Sequence, residues 1–356
     1  MNIHETYMQK AIDLAIKGRG NVSPNPLVGC VVVKNGLIIG EGYHKKFGDS
    51  HAEVDAINNC IEDPSGGSLY VTLEPCNHYG KTPPCTDYII KSGIRDIYIS
   101  QLDPNPKMSG KSIEILKSAG INVEHNFLVD KTRFINRFYS KWIINKVPYV
   151  IGKVAQDSRG YIAKKKSSVW ITNKKSKKHV HKMRSKVDAI MIGKNTAIID
   201  NPQLTVREVI GNSPKRIILD TNRTLPLNLM VFNNKKSKTI VVCSNKLFND
   251  SNTSSCEYIT VNEKNGKLDL NHLLNRLGEL GITSLILEGG SELLNSFLIK
   301  NLIDEFHLYS SKNSLPKLDV KNPFMINNKW NLRNEEMLDD DTLVIFEKKE
   351  KCLQEL

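Results

Sequence analysis

No apolar run in this sequence approaches the roughly 18 residues that a membrane-spanning helix needs, so an integral helical membrane protein is not expected. The first residues, Met1-Asn2-Ile3-His4-Glu5, hold neither a basic stretch nor an apolar one. No secretory leader is expected, and a cytoplasmic location is. Seven cysteines among 356 residues do not make a disulfide framework; in a reducing compartment they are thiols or metal ligands. There is no internal repeat. Disorder is excluded by what is present: 40% apolar residues suffice for packed cores. The length suggests two domains, at about 100–200 residues each.

Acidic residues are scarce in one place only. The formal charge is +12. Residues 1–145 hold 16 basic and 15 acidic residues, and residues 195–356 hold 20 and 21. Residues 146–194 hold 14 basic residues and only Asp157 and Asp188 as acids, so this short block carries the excess. Such a block fits a nucleic acid, small anions or a solvated face. Few stacking aromatics, Tyr161 and Trp170, lie among its clustered lysines, which argues against single-stranded nucleic acid.

Hydrophobic periodicity predicts an α/β chain. Helices are expected over His4–Lys17, His51–Ile61, Pro84–Lys91, Ser112–Ala119 and Lys131–Asn145. Gly29–Val33 and Leu37–Gly40 flank Asn35-Gly36, a strong hairpin signal. Further strands are expected at Ser68–Leu73, Asp96–Ser100 and Ile121–Glu124. Val147-Pro148 marks a junction between domains 1–145 and 146–356. The second half restarts with Tyr149–Ala155. Strands follow at Ala189–Ile192, Ile217–Asp220, Ile240–Cys243, Ser284–Leu287, Glu305–Tyr309 and Leu343–Glu347, with helices at Lys174–Arg184, Leu270–Leu280 and Ser291–Ile299. The polar stretches Asn233–Ser237 and Phe248–Ser255 read as surface loops.

The chemistry-bearing set of the first half is His51-Ala52-Glu53, then Glu74-Pro75-Cys76, then Cys85. One imidazole and two thiolates give a catalytic zinc three protein ligands and leave a fourth position for water, whose pKa the metal lowers. Glu53 lies two positions from His51, near the metal but not needed as a ligand, where a carboxylate can move a proton from water to a leaving amine. A lone His-x-Glu is common, and a structural zinc would want a fourth ligand, for which His78 is nearest. The ordered set is that of zinc deaminases. Eight residues separate Cys76 from Cys85, where nucleic-acid and cytidine deaminases usually have two.

At these residues the chain resembles the bifunctional deaminase–reductase family of riboflavin biosynthesis. The matching stretches are Pro24-Asn25-Pro26-Leu27-Val28-Gly29, Gly42-Tyr43-His44, His51-Ala52-Glu53, the run Thr72 to Cys85, and Asp103-Pro104-Asn105-Pro106. The resemblance implies a cytidine-deaminase-like α/β/α sandwich at the amino end and a dihydrofolate-reductase-like α/β domain at the carboxyl end. It implies zinc and NADPH as cofactors and a homo-oligomer, dimer or tetramer, as the assembly. Small phosphorylated pyrimidines are the implied substrates, with neither nucleic acid nor membrane as partner. Asn25, His44, Asp103 and Asn105 should hold the pyrimidine and ribose, and Lys81 the 5′-phosphate.

In the second half, Ser284–Leu287 runs into Glu288-Gly289-Gly290-Ser291, where glycines let a phosphate approach backbone N–H groups and Ser291 is a good N-cap. By resemblance Ala155, Trp170, Thr196, Asp200, Gly290, Ser291, Glu292, Leu293, Leu294, Asn295 and Ser296 contact NADPH. Ser168, Arg184, Leu204, Arg207 and Glu288 contact the substrate, the two arginines suiting a phosphate. The chain departs from the family after Ala155. The usual Ser of Ser-Leu-Asp-Gly is Asp157 and the usual Asp is Arg159, and Ser310-Ser311-Lys312-Asn313 lacks an expected glycine pair. A deaminase with a non-catalytic second domain and, more remotely, a nucleic-acid deaminase are the alternatives to a bifunctional enzyme.

Overall fold

The computed structural model describes residues 2–79, 83–106, 108–247 and 256–349. Two compact units form, Met1–Lys146 and Val147–Leu356. Among the described residues no helix is long and apolar enough to cross a membrane.

The first unit is built on five strands in the spatial order Leu37–Tyr43, Gly29–Lys34, Ser68–Leu73, Asp96–Gln101, Asn122–His125. The Asn35-Gly36 turn has positive φ at both positions and joins the first two antiparallel; the last three are parallel. Alternation of side chains divides the core in two. Cys30, Val32, Leu69, Val71, Ile97 and Ile99 face helices Ala52–Asn58, Cys85–Lys91 and Lys111–Ser118. Val31, Val33 and Tyr70 face helix Ile3–Lys17, whose buried stripe is Met8, Ala11, Ile12 and Ala15. Three layers result.

Helix Ala52–Asn58 lies close to strand Leu37–Tyr43 because Gly42 has no side chain: a Cβ there would stand 2.2 Å from the Ala56 nitrogen and 2.6 Å from the Ala52 oxygen. The expected helix Lys131–Asn145 is two helices, Val129–Ile135 and Arg137–Asn145. The break is Asn136, a buried residue whose side chain binds a backbone partner 109 positions away. Leu27 N–H donates to its Oδ1 at 2.7 Å, and its Nδ2 donates to the Leu27 carbonyl at 2.9 Å.

The second unit has a nine-stranded sheet. In space the order is Glu257–Val261, Thr239–Ser244, Lys215–Leu219, Ala189–Gly193, Ser284–Leu287, Tyr149–Gln156, Glu305–Ser311, Asp341–Lys348, Trp330–Leu338. The first seven are mutually parallel and the last two antiparallel. Two of these strands escape a hydrophobicity reading. Trp330–Leu338 is exposed along nearly its whole length, and Glu257–Val261 follows a polar stretch. Residues Phe248–Ser255, expected as a loop, lie outside the described residues. The main core packs helices Leu270–Glu279 and Ser291–Ile299 against the parallel strands through Leu273, Leu277, Leu294 and Phe297.

Candidate active sites

The two halves of the metal constellation come from different elements. His51 precedes helix Ala52–Asn58 in extended conformation, Cys76 follows strand Ser68–Leu73, and Cys85 opens helix Cys85–Lys91. Their ligand atoms all lie within 4.8 Å of one another. His51 Nδ1 stands 3.4 Å from Cys76 Sγ and 3.2 Å from Cys85 Sγ. The edge of a tetrahedron with zinc–nitrogen and zinc–sulfur legs is about 3.5 Å, so the group fits zinc as it stands. The protonation pattern fits too. Hydrogen bonds from Cys85 and His51 hold the Cys76 thiol well below its usual range, and the same contact, with burial, pushes Cys85 up. The pair shares a proton that a divalent cation would displace, leaving two thiolates.

Glu53 is buried in the first turn of helix Ala52–Asn58 and lines the same cavity. Burial, then the charge of Cys76, pushes its carboxyl up to about 7. A group that neither holds nor loses its proton firmly near neutrality is suited to proton transfer. The cavity has a volume of about 370 Å³, and Asn25, His44, Asp103 and Asn105 also line it. His44 Nδ1 meets the Ser50 carbonyl at 3.1 Å and its Nε2 meets Asn25 Nδ2 at 3.1 Å. That network places the ring proton on Nδ1, and burial lowers the His44 pKa, so the ring is neutral. Asp103 accepts the Asn105 N–H at 2.8 Å and the Tyr139 hydroxyl at 3.2 Å. Lys81 lies outside the described residues.

Three wall residues, among others, are given no role by the sequence reading, although Glu74 lies within the motif. Glu74 is buried beside Cys76, and its carboxylate accepts from Asp103 N at 3.1 Å, Gly110 N at 3.0 Å and both Ser112 N and Oγ, tying the 103–112 loop to the metal side. The signal available was an acid directly after an apolar strand. Tyr139 and Trp142 line the cavity from helix Arg137–Asn145, which sequence read only as a connection.

In the second unit Ala155, Thr196, Glu288 and Gly290 lie at or just beyond the carboxyl ends of parallel strands, where ligands bind in open α/β sheets, whereas Ser168, Trp170, Leu204 and Arg207 lie on connecting segments. Glu288 follows strand Ser284–Leu287, and Arg184 grips it with a fork, Nε to Oε1 and Nη2 to Oε2, both at 2.9 Å. Lys153 Nζ is 3.8 Å from the same carboxylate. Burial would raise the Glu288 pKa, but Arg184 and Lys153 prevail and hold it at about 2. Arg184 is therefore committed to Glu288. Arg207 is exposed, and its backbone N–H donates to His181 Nδ1 at 3.0 Å. Lys153 went unread by sequence; the signal was a charge inside the apolar strand Tyr149–Gln156.

Gly290, not Ser291, caps helix Ser291–Ile299, with extended backbone and no side-chain hydrogen bond to the first turn. Gly290 N–H donates to Thr196 Oγ1 at 3.2 Å, and a Cβ on Gly289 would meet Leu293 at 3.0 Å. This bare, close turn and the uncapped first turn beside it, with Ser291 half-buried and Glu292 exposed, fit a phosphate-bearing cofactor. Leu294 is in the core and its N–H donates to the Gly290 carbonyl, whereas Asn295 and Ser296 lie further along the helix. Leu204 is buried with φ +55°, Ser168 and Asp200 are exposed, and Ala155 packs beside Tyr309. Trp170 is 66% exposed, its indole N–H donating to the Thr172 carbonyl.

The departures from the family form a closed set. Asp157 is wholly buried and accepts from Arg159 N at 2.9 Å, Tyr161 N at 3.0 Å and Leu315 N at 3.0 Å. Arg159 donates to it through Nε at 3.0 Å and Nη2 at 2.8 Å, and reaches the Leu315 carbonyl at 2.6 Å. Ser158 N–H donates to the Asn313 carbonyl at 3.1 Å. The altered turn and the glycine-poor 310–315 segment thus hold each other.

Comparison with known proteins is consistent across the chain. Residues 1–101 match the model of the cytidine and deoxycytidylate deaminase zinc-binding region, and residues 148–312 match that of the RibD C-terminal domain. The riboflavin biosynthesis protein RibD of Aquifex aeolicus is 41% identical over 322 residues, 86% of each chain. A crystal structure of a diaminohydroxyphosphoribosylaminopyrimidine deaminase/5-amino-6-(5-phosphoribosylamino)uracil reductase from Thermotoga maritima superposes with a TM-score of 0.88 at 37% identity, covering 98% of this chain and 99% of that one. Acinetobacter baumannii RibD gives 0.88 at 33% identity with the same coverage.

Proposed function

The chain belongs to the RibD family, the bifunctional deaminase–reductases of riboflavin biosynthesis, and from that premise we propose which of its residues carry the two reactions. The deaminase domain binds zinc and the reductase domain uses NADPH. The observation that carries the assignment is the convergence of His51, Cys76 and Cys85 on one point in a cavity that also holds Glu53.

His51, Cys76 and Cys85 hold the zinc. The chemistry supplied by a bound zinc is activation of water at neutral pH. Glu53 takes a proton from the attacking water and delivers it to the departing amine, a role supported by its burial and its pKa near 7. The substrate is 2,5-diamino-6-ribosylamino-4(3H)-pyrimidinone 5′-phosphate. Asn25 and the neutral His44 position its ring, and Asp103 and Asn105, steadied by Tyr139 and Glu74, position its ribose. Lys81 takes the phosphate by likeness alone.

In domain 146–356 the chemistry supplied by bound NADPH is a hydride, which turns the ribosyl chain of 5-amino-6-(5-phosphoribosylamino)uracil into ribityl. Glu288, kept ionised by Arg184 and Lys153, faces the substrate, and Arg207 with Ser168 and Leu204 completes its site. Gly290 to Ser296, Thr196, Asp200, Ala155 and Trp170 hold the cofactor, Leu294 through the placement of the helix rather than its side chain. The reading includes a cytoplasmic homo-oligomer, dimer or tetramer. Exposed Leu332 and Met337 on the outer edge strand support such a contact.

Purified full-length protein given the diaminopyrimidine ribotide should release ammonia and then consume NADPH. Ammonia without NADPH loss would remove the reductase assignment, and neither product would remove both.

A further inference from the structure

The carboxyl edge of the second sheet carries a cation that neither reaction above uses. Lys194 follows strand Ala189–Gly193 directly and is two residues from Thr196, whose hydroxyl receives the Gly290 N–H. Its ammonium points the other way, toward the carboxyl end of strand Lys215–Leu219. There it donates to Thr224 Oγ1 and lies 4.0 Å from Asp220 Oδ1. Gly290, Thr196, Lys194 and Thr224 therefore run across three adjacent strand ends in the order Ser284–Leu287, Ala189–Gly193, Lys215–Leu219. At about 4.8 Å per strand, the two outer strand ends are about 10 Å apart. That is the scale of one ribose beyond a pyrophosphate seated on the Gly289-Gly290 turn.

Asp220 decides what this position can accept. A free carboxylate here would take a ribose 2′-hydroxyl and repel a 2′-phosphate. Asp220 is not free: it is buried, and its side chain receives Thr224 N at 2.6 Å and Leu225 N at 2.8 Å. Lys194 offsets its charge, and with a side chain 35% exposed it still has donors for a second anion. The other cations at neighbouring strand ends are turned elsewhere among the described residues. Arg223 lies over the Tyr258 ring at 4.1 Å, and Lys246 pairs with Glu263 at 3.1 Å.

We propose that Lys194, braced by Thr224 and Asp220, is the residue that selects NADPH over NADH by binding the adenosine 2′-phosphate. The inference rests on the reading that the second domain seats NADPH along this edge.

The test is equilibrium binding to the full-length protein, followed by dihydronicotinamide fluorescence for NADPH and NADH and by calorimetry for adenosine 2′,5′-bisphosphate and 5′-AMP. Lys194→Met should weaken NADPH and the bisphosphate by about 10- to 100-fold, the loss of one or two charge-assisted hydrogen bonds. NADH and 5′-AMP should change less than about twofold, and Lys194→Arg should restore most of the preference. Equal losses for NADPH and NADH in Lys194→Met would reduce Lys194 to a structural brace and overturn the proposal, as would unchanged NADPH binding. Wild-type protein that binds no NADPH would instead overturn the reading of the domain.

Discussion

Replacing Asp157 by the residue the family usually has, Asp157→Ser, should weaken this protein rather than normalise it. Three backbone N–H groups, of Arg159, Tyr161 and Leu315, end on the buried Asp157 carboxylate. A serine oxygen can take one of them. Each of the two left over costs about 1–3 kcal/mol if it stays buried. Arg159 loses its partner too, but its side chain is 39% exposed, so water replaces most of that contact and its share is at most about 1 kcal/mol. Because these groups are only partly buried, the expected loss from the 147–356 unit is at the low end, about 2–4 kcal/mol. Urea unfolding followed by tryptophan fluorescence reads it, with Trp170 and Trp330 as reporters in this unit. Burial acts to raise the Asp157 pKa, but the backbone donors and Arg159 outweigh it and hold the group at about 2. The part of its contribution linked to ionisation, about 2–3 kcal/mol, is complete above the ordinary Asp value of about 3.9 and is lost as pH falls through 2, so the gap between wild type and variant should narrow there. Arg159→Asp alone should cost about 1–2 kcal/mol, at most about 1 from the lost contact and the rest from a like charge beside Asp157, because the backbone donors keep their acceptor. A Ser variant within about 0.5 kcal/mol of wild type at pH 7 would refute the view that these N–H groups depend on Asp157.

Glu53→Gln should retain one zinc per chain by atomic absorption while ammonia release drops by at least about 100-fold; near-full activity would end the proton-transfer assignment. Gly42→Ala places a carbon 2.2 Å from the Ala56 nitrogen and must push helix Ala52–Asn58 outward. Deamination should fall by about 100-fold, since a displacement of about 1 Å is costly at a reacting centre, while NADPH binding is unchanged. Glu288→Gln leaves Arg184 and Lys153 buried without a counter-charge, which should destabilise the second unit by about 3–5 kcal/mol. Differential scanning calorimetry checks this, and an unchanged transition for the second unit would contradict it.

Much of the deaminase site was legible because its signals are local. His51 and Glu53 share a helix start, Cys76 and Cys85 bracket one loop, and the Asn35-Gly36 turn fixes the first hairpin. The reductase half was less legible from its own residues. A Gly-Gly turn before a helix is weak evidence, and strand Trp330–Leu338 has no apolar alternation to announce it. The family resemblance supplied what local pattern did not.

By itself, the sequence determined most element types, the candidate metal donors and the location of the +12 charge in residues 146–194. What each charge does was left to tertiary structure. Of that block, Lys164–Lys166, Lys174 and Lys178 are exposed, whereas Arg184 is bound to Glu288 with Lys153 beside it, and Lys194 leans on Asp220. Those choices depend on partners far away in the chain: Arg184 meets Glu288 across 104 positions, and Asn136 holds Leu27 across 109. Local pattern sets a residue's secondary structure and its face. The energy of a buried charge or amide depends on whether another segment brings it a partner, and only the folded chain decides that.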